Sequence, residues 1–532
     1  LAQEYARRLR DGDVSLNGLC RTAALRREHL PERLAVAGKT AAELAERLEA
    51  FARGESRPGV ASGARFEGRL PGIVFVFPGQ GGQWLGMGRL LMQSEPVFRQ
   101  VMERCEQAFH PYVDWSLLEQ INADESSSRM EEINVVQPLL FAFQVALAEL
   151  FRGWGIQPDA VVGHSMGEVA AAHVAGALSL DDAARIICTR SQLMRRVSGK
   201  GAMAVVGLSI DETQALIAGV SDKLSVAVNN SPASSVLSGD PEALESVLAG
   251  LRARNIFCRP VKVDVAAHSP QMEALRPELV DALRAIQPRA ASVPVYSTVT
   301  AAPVPGERLD AEYWGRNLRQ PVRFSEATTR LLADGNAIFV EMNPHPILLN
   351  AIEQTAQVAA SDRRLALVAS MRRDEDDALG MRAALGSLFA AGCIPNWDAV
   401  LAPYAGQPVR LPHYPWQHER YWLDIKAPAA DTVSSWFYYV DWKAQTQEAA
   451  PVGESGHWMV LCEPGENSAG EAIAAHLEAL GGTVTRVRPG DAFSMSSARN
   501  FTLDPRDPGQ FELLFDRVRS LGGDLRGVAR AI

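Results

Sequence analysis

Apolar and polar positions along this chain follow two periods, and the period switches repeatedly. Amphipathic helical spacing runs over about 1–10 and 40–53, around 96–109, 138–153 and 181–197, and again near 211–219, 241–253, 469–480 and 508–520. Between these lie short apolar stretches at 73–77 and 160–162, as buried central strands of a parallel sheet require, and a further strand-like run at 337–342 that is apolar but for Glu341. Strand and helix alternate over most of the sequence, which predicts an α/β fold. Over 202–265 the strand-like runs shorten to 203–207, 224–229, 235–239 and 257–264, with two helices between them. The order β-α-β-β-α-β is that of a ferredoxin-like split unit, inserted between two halves of the larger sheet. Thr40 and Glu43 fit a capping box, the stretch 54–70 is read as a loop, and an extended apolar segment falls near 34–37.

Composition narrows the function classes. The 532 residues carry a net charge of -10 and no long basic run, against nucleic acid as the main partner. No charged-then-apolar leader or apolar run of membrane-spanning length is expected. The six cysteines are scattered without a C-x-x-C pair, so they are read as reduced packing residues of a cytoplasmic protein. The ten histidines include no H-E-x-x-H, which argues against zinc. The chain opens without Met inside a helix and stops in a strand pattern, as a segment of a longer polypeptide would.

The chemistry centres on Gly163-His164-Ser165-Met166-Gly167-Glu168, where an apolar strand turns into a helix. A serine there can be a mere N-cap. Flanking glycines, however, suit a turn that lifts the serine hydroxyl clear and aims helix-start N–H groups at an oxyanion. Ser165 is therefore read as a nucleophile. A second strand runs into Pro78-Gly79-Gln80-Gly81-Gly82-Gln83, which lacks the Lys-Ser/Thr ending of a P-loop and better serves as the second wall of an oxyanion hole. Arg190 lies among Ile187, Leu193 and Met194, where a guanidinium needs a partner such as a substrate carboxylate. His268, in Val265-Ala266-Ala267-His268-Ser269-Pro270, sits at a strand end and can serve Ser165 as base. Carbonyls at the end of the helix through 313–318 can orient its Nδ1–H. Gln137 is a surface amide or faces a pocket, and His345 between two prolines is read as loop packing.

Those motifs, in this order and with Asn317-Leu318-Arg319-Gln320-Pro321-Val322, resemble malonyl-CoA:acyl-carrier-protein transacylases, and the flanks resemble a modular type I polyketide synthase. The resemblance implies an acyltransferase large domain with an α/β-hydrolase-like parallel sheet core and an inserted ferredoxin-like small subdomain, flanked by an α/β linker domain and a partial Rossmann-like subdomain. It divides the chain into a ketosynthase-to-acyltransferase linker (1–70), the acyltransferase (71–395), an aromatic and proline-rich post-acyltransferase linker (396–434) and the N-terminal part of a ketoreductase structural subdomain (435–532). It implies that Ser165 is acylated, that His268 is its base and then acid, and that the Asn317 carbonyl orients His268. It further implies an oxyanion hole from the N–H groups of Gln80 and Met166, a carboxylate clamp at Arg190 and a pocket at Gln137, Val265, Ala266 and Ala267. Implied partners are acyl-CoA, the phosphopantetheine arm of an acyl carrier protein, and the ketosynthase and ketoreductase regions of the same polypeptide, with no cofactor bound by this chain. Val135-Val136-Gln137 resembles methylmalonyl-selecting domains, and the small Val265-Ala266-Ala267 leaves room for an α-methyl, so methylmalonyl is favoured over malonyl. A serine hydrolase and a decayed scaffold are the competing readings.

Overall fold

The apolar stretches at 73–77, 160–162 and 337–340 form the centre of the main sheet in a computed structural model describing residues 1–12, 14–263, 265–359, 363–416, 419, 443, 456–465, 468–522 and 524–530. Its strands run in the order Ala302–Val304, Val295–Ser297, Ala160–Gly163, Gly72–Phe77, Asn336–Glu341 and Ala366–Ala369. All are parallel except Ala302–Val304 at the edge. Alternate residues serve opposite faces. Phe75, Phe77, Val161 and Val340 pack under the helices Ile133–Gly153, Gly167–Val174 and Leu180–Arg195. Val74, Val76, Val162 and Phe339 pack under Phe324–Ala333 and Leu349–Ala359. The continuous apolar runs are thus explained by helices on both faces.

The Ile133–Gly153 helix starts a turn before the expected 138 and passes the length and composition test for a membrane span. That corrects the expectation that no such run exists. Nearly all of it is buried inside the fold, as the core helix of a two-faced sheet must be.

The inserted unit has the expected connectivity. Antiparallel strands lie in the order Cys258–Pro260, Ala202–Val206, Ser234–Gly239 and Leu224–Ser231, with helices Ile210–Ile217 and Pro241–Ala253. Its last strand is shorter than the expected 257–264, and Asp264 lies outside the described residues. Val322–Arg323, from beyond the unit, adds to its edge in parallel with Leu224–Ser231.

Among the described residues, the first 64 hold three helices, Ala2–Asp11, Leu16–Leu25 and Ala41–Ala52, and the antiparallel pair Glu32–Val36 and Val60–Ala64. The helix at Leu16–Leu25 adds to the two expected at 1–10 and 40–53, and the strand Val60–Ala64 corrects the expectation of a loop over 54–70. Thr40 accepts the Glu43 N–H as expected, but the Glu43 carboxylate takes the N–H of Lys39, so only half of the capping box forms. The described part of the proline-rich stretch lies along these helices. Val409 donates its N–H to Thr22 Oγ1 at 3.0 Å, and Leu411 joins their apolar core.

The chain falls into two compact units, Leu1–His418 and Glu419–Ile532. In the second, His457–Leu461, Thr483–Pro489, Asn500–Leu503 and Leu525–Arg530 form a parallel sheet with Ala469–Ala479 and Pro508–Ser520 as helices. An antiparallel edge strand, Ser494–Ser497, was not foreseen, because its residues are exposed and carry no apolar alternation. The expected boundary between the aromatic, proline-rich linker and this unit, at 434/435, lies outside the described residues.

Candidate active site

Adjacent central strands deliver the two glycine-rich turns side by side. Phe77 pairs with Gly163 at the carboxyl ends of the strands, where open α/β sheets hold their ligands. The N–H of His164 donates to the Phe77 carbonyl at 2.8 Å. Two glycines make this approach possible. A Cβ on Gly167 would fall 1.9 Å from the Phe77 carbonyl oxygen, and one on Gly163 would fall 2.2 Å from the Glu168 Cα. At the apex Ser165 adopts φ 55°, a left-handed conformation that costs a non-glycine residue of order 1 kcal/mol and is found where function holds it.

Ser165 Oγ lies 2.7 Å from His268 Nε2. His268 is itself left-handed, at φ 58°, and buried. Its Nδ1 faces the carbonyl of Gln320 at 2.8 Å. A carbonyl only accepts, so Nδ1 carries the hydrogen and the Nε2 lone pair faces the serine hydroxyl. This corrects the expectation that the Asn317 carbonyl orients His268. Pro321 disfavours helical backbone at Gln320, which turns out of the helix at ψ 156° and presents its carbonyl sideways. The bond leaves no side-chain signature in the sequence, since any residue at 320 supplies a carbonyl.

Asn317 belongs to the site through its side chain. Arg190 Nη1 donates to Asn317 Oδ1 at 2.6 Å, and Asn317 Nδ2 donates to the Ser165 carbonyl at 3.3 Å. Arg190 Nη2 donates to Ser165 Oγ at 3.0 Å. The Leu180–Arg195 helix carries Ala183, Ile187, Arg190 and Met194 on its buried face, which is why this arginine turns inward. The same helix sends Arg195 to Glu132, and Arg196 beyond it pairs with Glu278. Arg190 Nε has no protein partner, and burial lowers the guanidinium to about 10. Burial first, and then the Arg190 charge, push the His268 imidazole down to about 3. It is neutral, with its lone pair available, at any ordinary pH.

The Pro78–Gln83 turn lies against the serine turn. A Cβ built on Gly79 would stand 3.9 Å from Ser165 Cβ, and Gln144 holds the Pro78 carbonyl at 2.7 Å. The backbone N–H groups of Gln80 and Met166 meet no protein acceptor among the described residues. Gln137 is buried on the long core helix. Its Nε2 lies 3.8 Å from Met194 Sδ, and its Oε1 has no protein partner. Met194 follows Arg190 by one turn. Val265 and Ala266 are buried just before His268, and Ala267 is half-buried. His345 accepts the N–H of Arg373 at Nδ1 (3.1 Å), the packing role expected of it.

Comparison with known proteins gives the site its context. A family profile described as the acyl transferase domain matches residues 74–395. The spectinabilin polyketide synthase system protein NorA' of Streptomyces orinoci is 44% identical over 429 residues, 80% of this chain and 12% of that protein. Erythronolide synthase EryA2 of Saccharopolyspora erythraea is 38% identical over 487 residues, 91% of this chain and 14% of that protein. The chain thus spans about an eighth of the length of these relatives. Among solved structures, the acyltransferase domain from module 8 of the salinomycin polyketide synthase is similar at TM-score 0.71 and 38% identity, over 75% of this chain and 94% of that one. With more than half of its length matched by the profile, the chain belongs to the acyl transferase domain family, and its residues 74–395 form an acyltransferase domain of the polyketide synthase kind.

Proposed function

We propose that this domain loads an extender unit, methylmalonyl in preference to malonyl, from its CoA thioester onto the phosphopantetheine thiol of an acyl carrier protein through an ester on Ser165. The observation that carries this reading is the placement of Ser165 Oγ between a bare imidazole nitrogen at 2.7 Å and a buried guanidinium at 3.0 Å. As Oγ attacks the thioester carbonyl, His268 Nε2 takes its proton, and the departing CoA sulfur receives that proton. Developing charge on the carbonyl oxygen goes to the N–H groups of Gln80 and Met166. In the second half the carrier thiol gives its proton to His268 and attacks the ester, and the proton returns to Ser165. Arg190 pairs with the free carboxylate of the extender unit. That pairing offsets the charge that depresses His268, so the base strengthens when the correct donor is bound.

The α-methyl is assigned to a pocket of Gln137 with Val265, Ala266 and Ala267, the last three being small side chains before His268 that leave space a large aromatic would fill. One methyl discriminates by only about 1–3 kcal/mol, so a few side chains suffice. The ketosynthase-to-acyltransferase linker at 1–70, the post-acyltransferase linker at 396–434 and the ketoreductase structural subdomain at 435–532 complete the reading, with the neighbouring regions of one polypeptide as partners. Intact-mass spectrometry after mixing with equimolar malonyl-CoA and methylmalonyl-CoA tests it. A methylmalonyl adduct is expected, and a malonyl adduct would overturn the extender choice.

A further inference from the structure

Glu168 closes the serine motif, yet no step above uses it. It sits in the first turn of the Gly167–Val174 helix and is 1% exposed. Its carboxylate accepts the N–H of Thr298 at 2.8 Å, the Thr298 hydroxyl and the Tyr313 hydroxyl. Tyr313 Oη also lies 2.7 Å from Ser297 Oγ, which accepts the N–H groups of Val299 and Thr300, each at 3.1 Å. Each hydroxyl has one hydrogen. Ser297, already accepting two amides, sends its hydrogen to Tyr313, and Tyr313 sends its own to Glu168. Every donor in this network runs toward the acid, and these bonds oppose the burial that raises its pKa above the usual carboxylate range.

The elements joined here are the ones that carry the site. Glu168 lies three residues after Ser165. Tyr313 lies on the Ala311–Arg319 helix. One turn later that helix presents Asn317 to Arg190 and to the Ser165 carbonyl, and the residue after it, Gln320, presents its carbonyl to His268. The helix therefore supplies the holders of both the carboxylate clamp and the base, and its own register against the nucleophile turn passes through Glu168.

We propose that Glu168 is a positioning residue for the transfer reaction: by taking the Tyr313 and Thr298 donors, it registers the Ala311–Arg319 helix against the serine turn so that Asn317 and Gln320 reach Arg190 and His268. This rests on the serine-ester reading above. Glu168 touches neither substrate nor Ser165 Oγ.

The test uses the full chain and two reagents. Phenylmethanesulfonyl fluoride has no carboxylate and reports the reactivity of Ser165 and His268, and methylmalonyl-CoA also reports the pairing of Arg190 with a substrate carboxylate. Tyr313→Phe keeps the ring and leaves Glu168 its two Thr298 donors. Glu168→Gln places an amide N–H2 among donors. With Ser165 still labelled stoichiometrically, Tyr313→Phe should slow sulfonylation about tenfold, the scale of one hydrogen bond to a buried charge. It should slow methylmalonyl acylation further, because Arg190 is displaced as well. Glu168→Gln added to Tyr313→Phe should cost less than Glu168→Gln alone, since both remove the Tyr313–Glu168 bond and only the Thr298 bonds are left for the second change to disturb. Should Glu168→Gln fail to fold, Tyr313→Phe decides. Unchanged rates per labelled serine, with only a lower unfolding temperature, would overturn the proposal. A wild type that is sulfonylated at Ser165 but takes no acyl group from CoA would defeat the proposed function instead, and the sulfonylation rates would still decide the role of Glu168.

Discussion

Replacing Arg190 with Met removes a buried charge while keeping most of the side-chain volume. In the resting site its Nη1 is held by Asn317 at 2.6 Å and its Nη2 by Ser165 Oγ at 3.0 Å, at a position 2% exposed to solvent. A substrate carboxylate meeting this guanidinium makes charge-assisted bonds in a site largely closed to water. Losing one partner of such a buried pair costs about 2–5 kcal/mol. At 1.36 kcal/mol per tenfold, kcat/KM for methylmalonyl-CoA should fall roughly 30-fold to several thousand-fold. Propionyl-CoA has the same skeleton without the carboxylate, and its slow reaction should change by no more than about threefold, since none of that binding term is lost. The assay is CoA release under single-turnover conditions for both donors, with Ser165 labelling to count active sites. Equal losses on both donors would refute the reasoning, because Arg190 would then be serving the serine rather than the carboxylate.

Other consequences follow from the same geometry. Gln320→Ala keeps the backbone carbonyl that holds His268 and should leave kcat near wild type. Asn317→Ala frees Arg190 and should raise KM for methylmalonyl-CoA about tenfold or more, the scale of one lost bond to a buried charge; steady-state kinetics of the pair checks both. Because folding lowers His268 from an ordinary 6.5 to about 3, the unfolded chain takes up a proton that the folded chain refuses. That contribution to stability is full above pH 6.5 and is lost as pH falls toward 3, so denaturant midpoints should drop across that window, less steeply in His268→Gln. Arg190→Met removes the second cause of that depression and should move the acid limb of Ser165 sulfonylation to higher pH. Ala267→Phe should shift the competition between extender units toward malonyl, read by intact mass.

The parallel sheet and its two flanking layers were legible because strands buried on both faces are apolar along their length, as at 73–77 and 337–340. The inserted unit was legible because its alternation of short strands and helices is local. The serine turn, Arg190 and His268 were legible as side chains whose types and surroundings carry chemistry. The holder of His268 was not, because a backbone carbonyl belongs to every residue, and only the break before Pro321 selects Gln320. Nor was the part played by Asn317, whose amide acts on groups far away in sequence. The Val60–Ala64 strand escaped because it is half-buried, with glycine and serine within it, and pairs with only one neighbour.

The central claim is that Ser165 carries the acyl group between two thiols. It is tested most directly by isolating the acylated protein free of CoA, mapping the adduct to a peptide, and adding a phosphopantetheinylated carrier protein. The account predicts an ester on Ser165, absent from Ser165→Ala, that disappears as the same acyl mass appears on the carrier. An adduct that persists in Ser165→Ala, or an ester released only as free acid when the carrier is present, would contradict it.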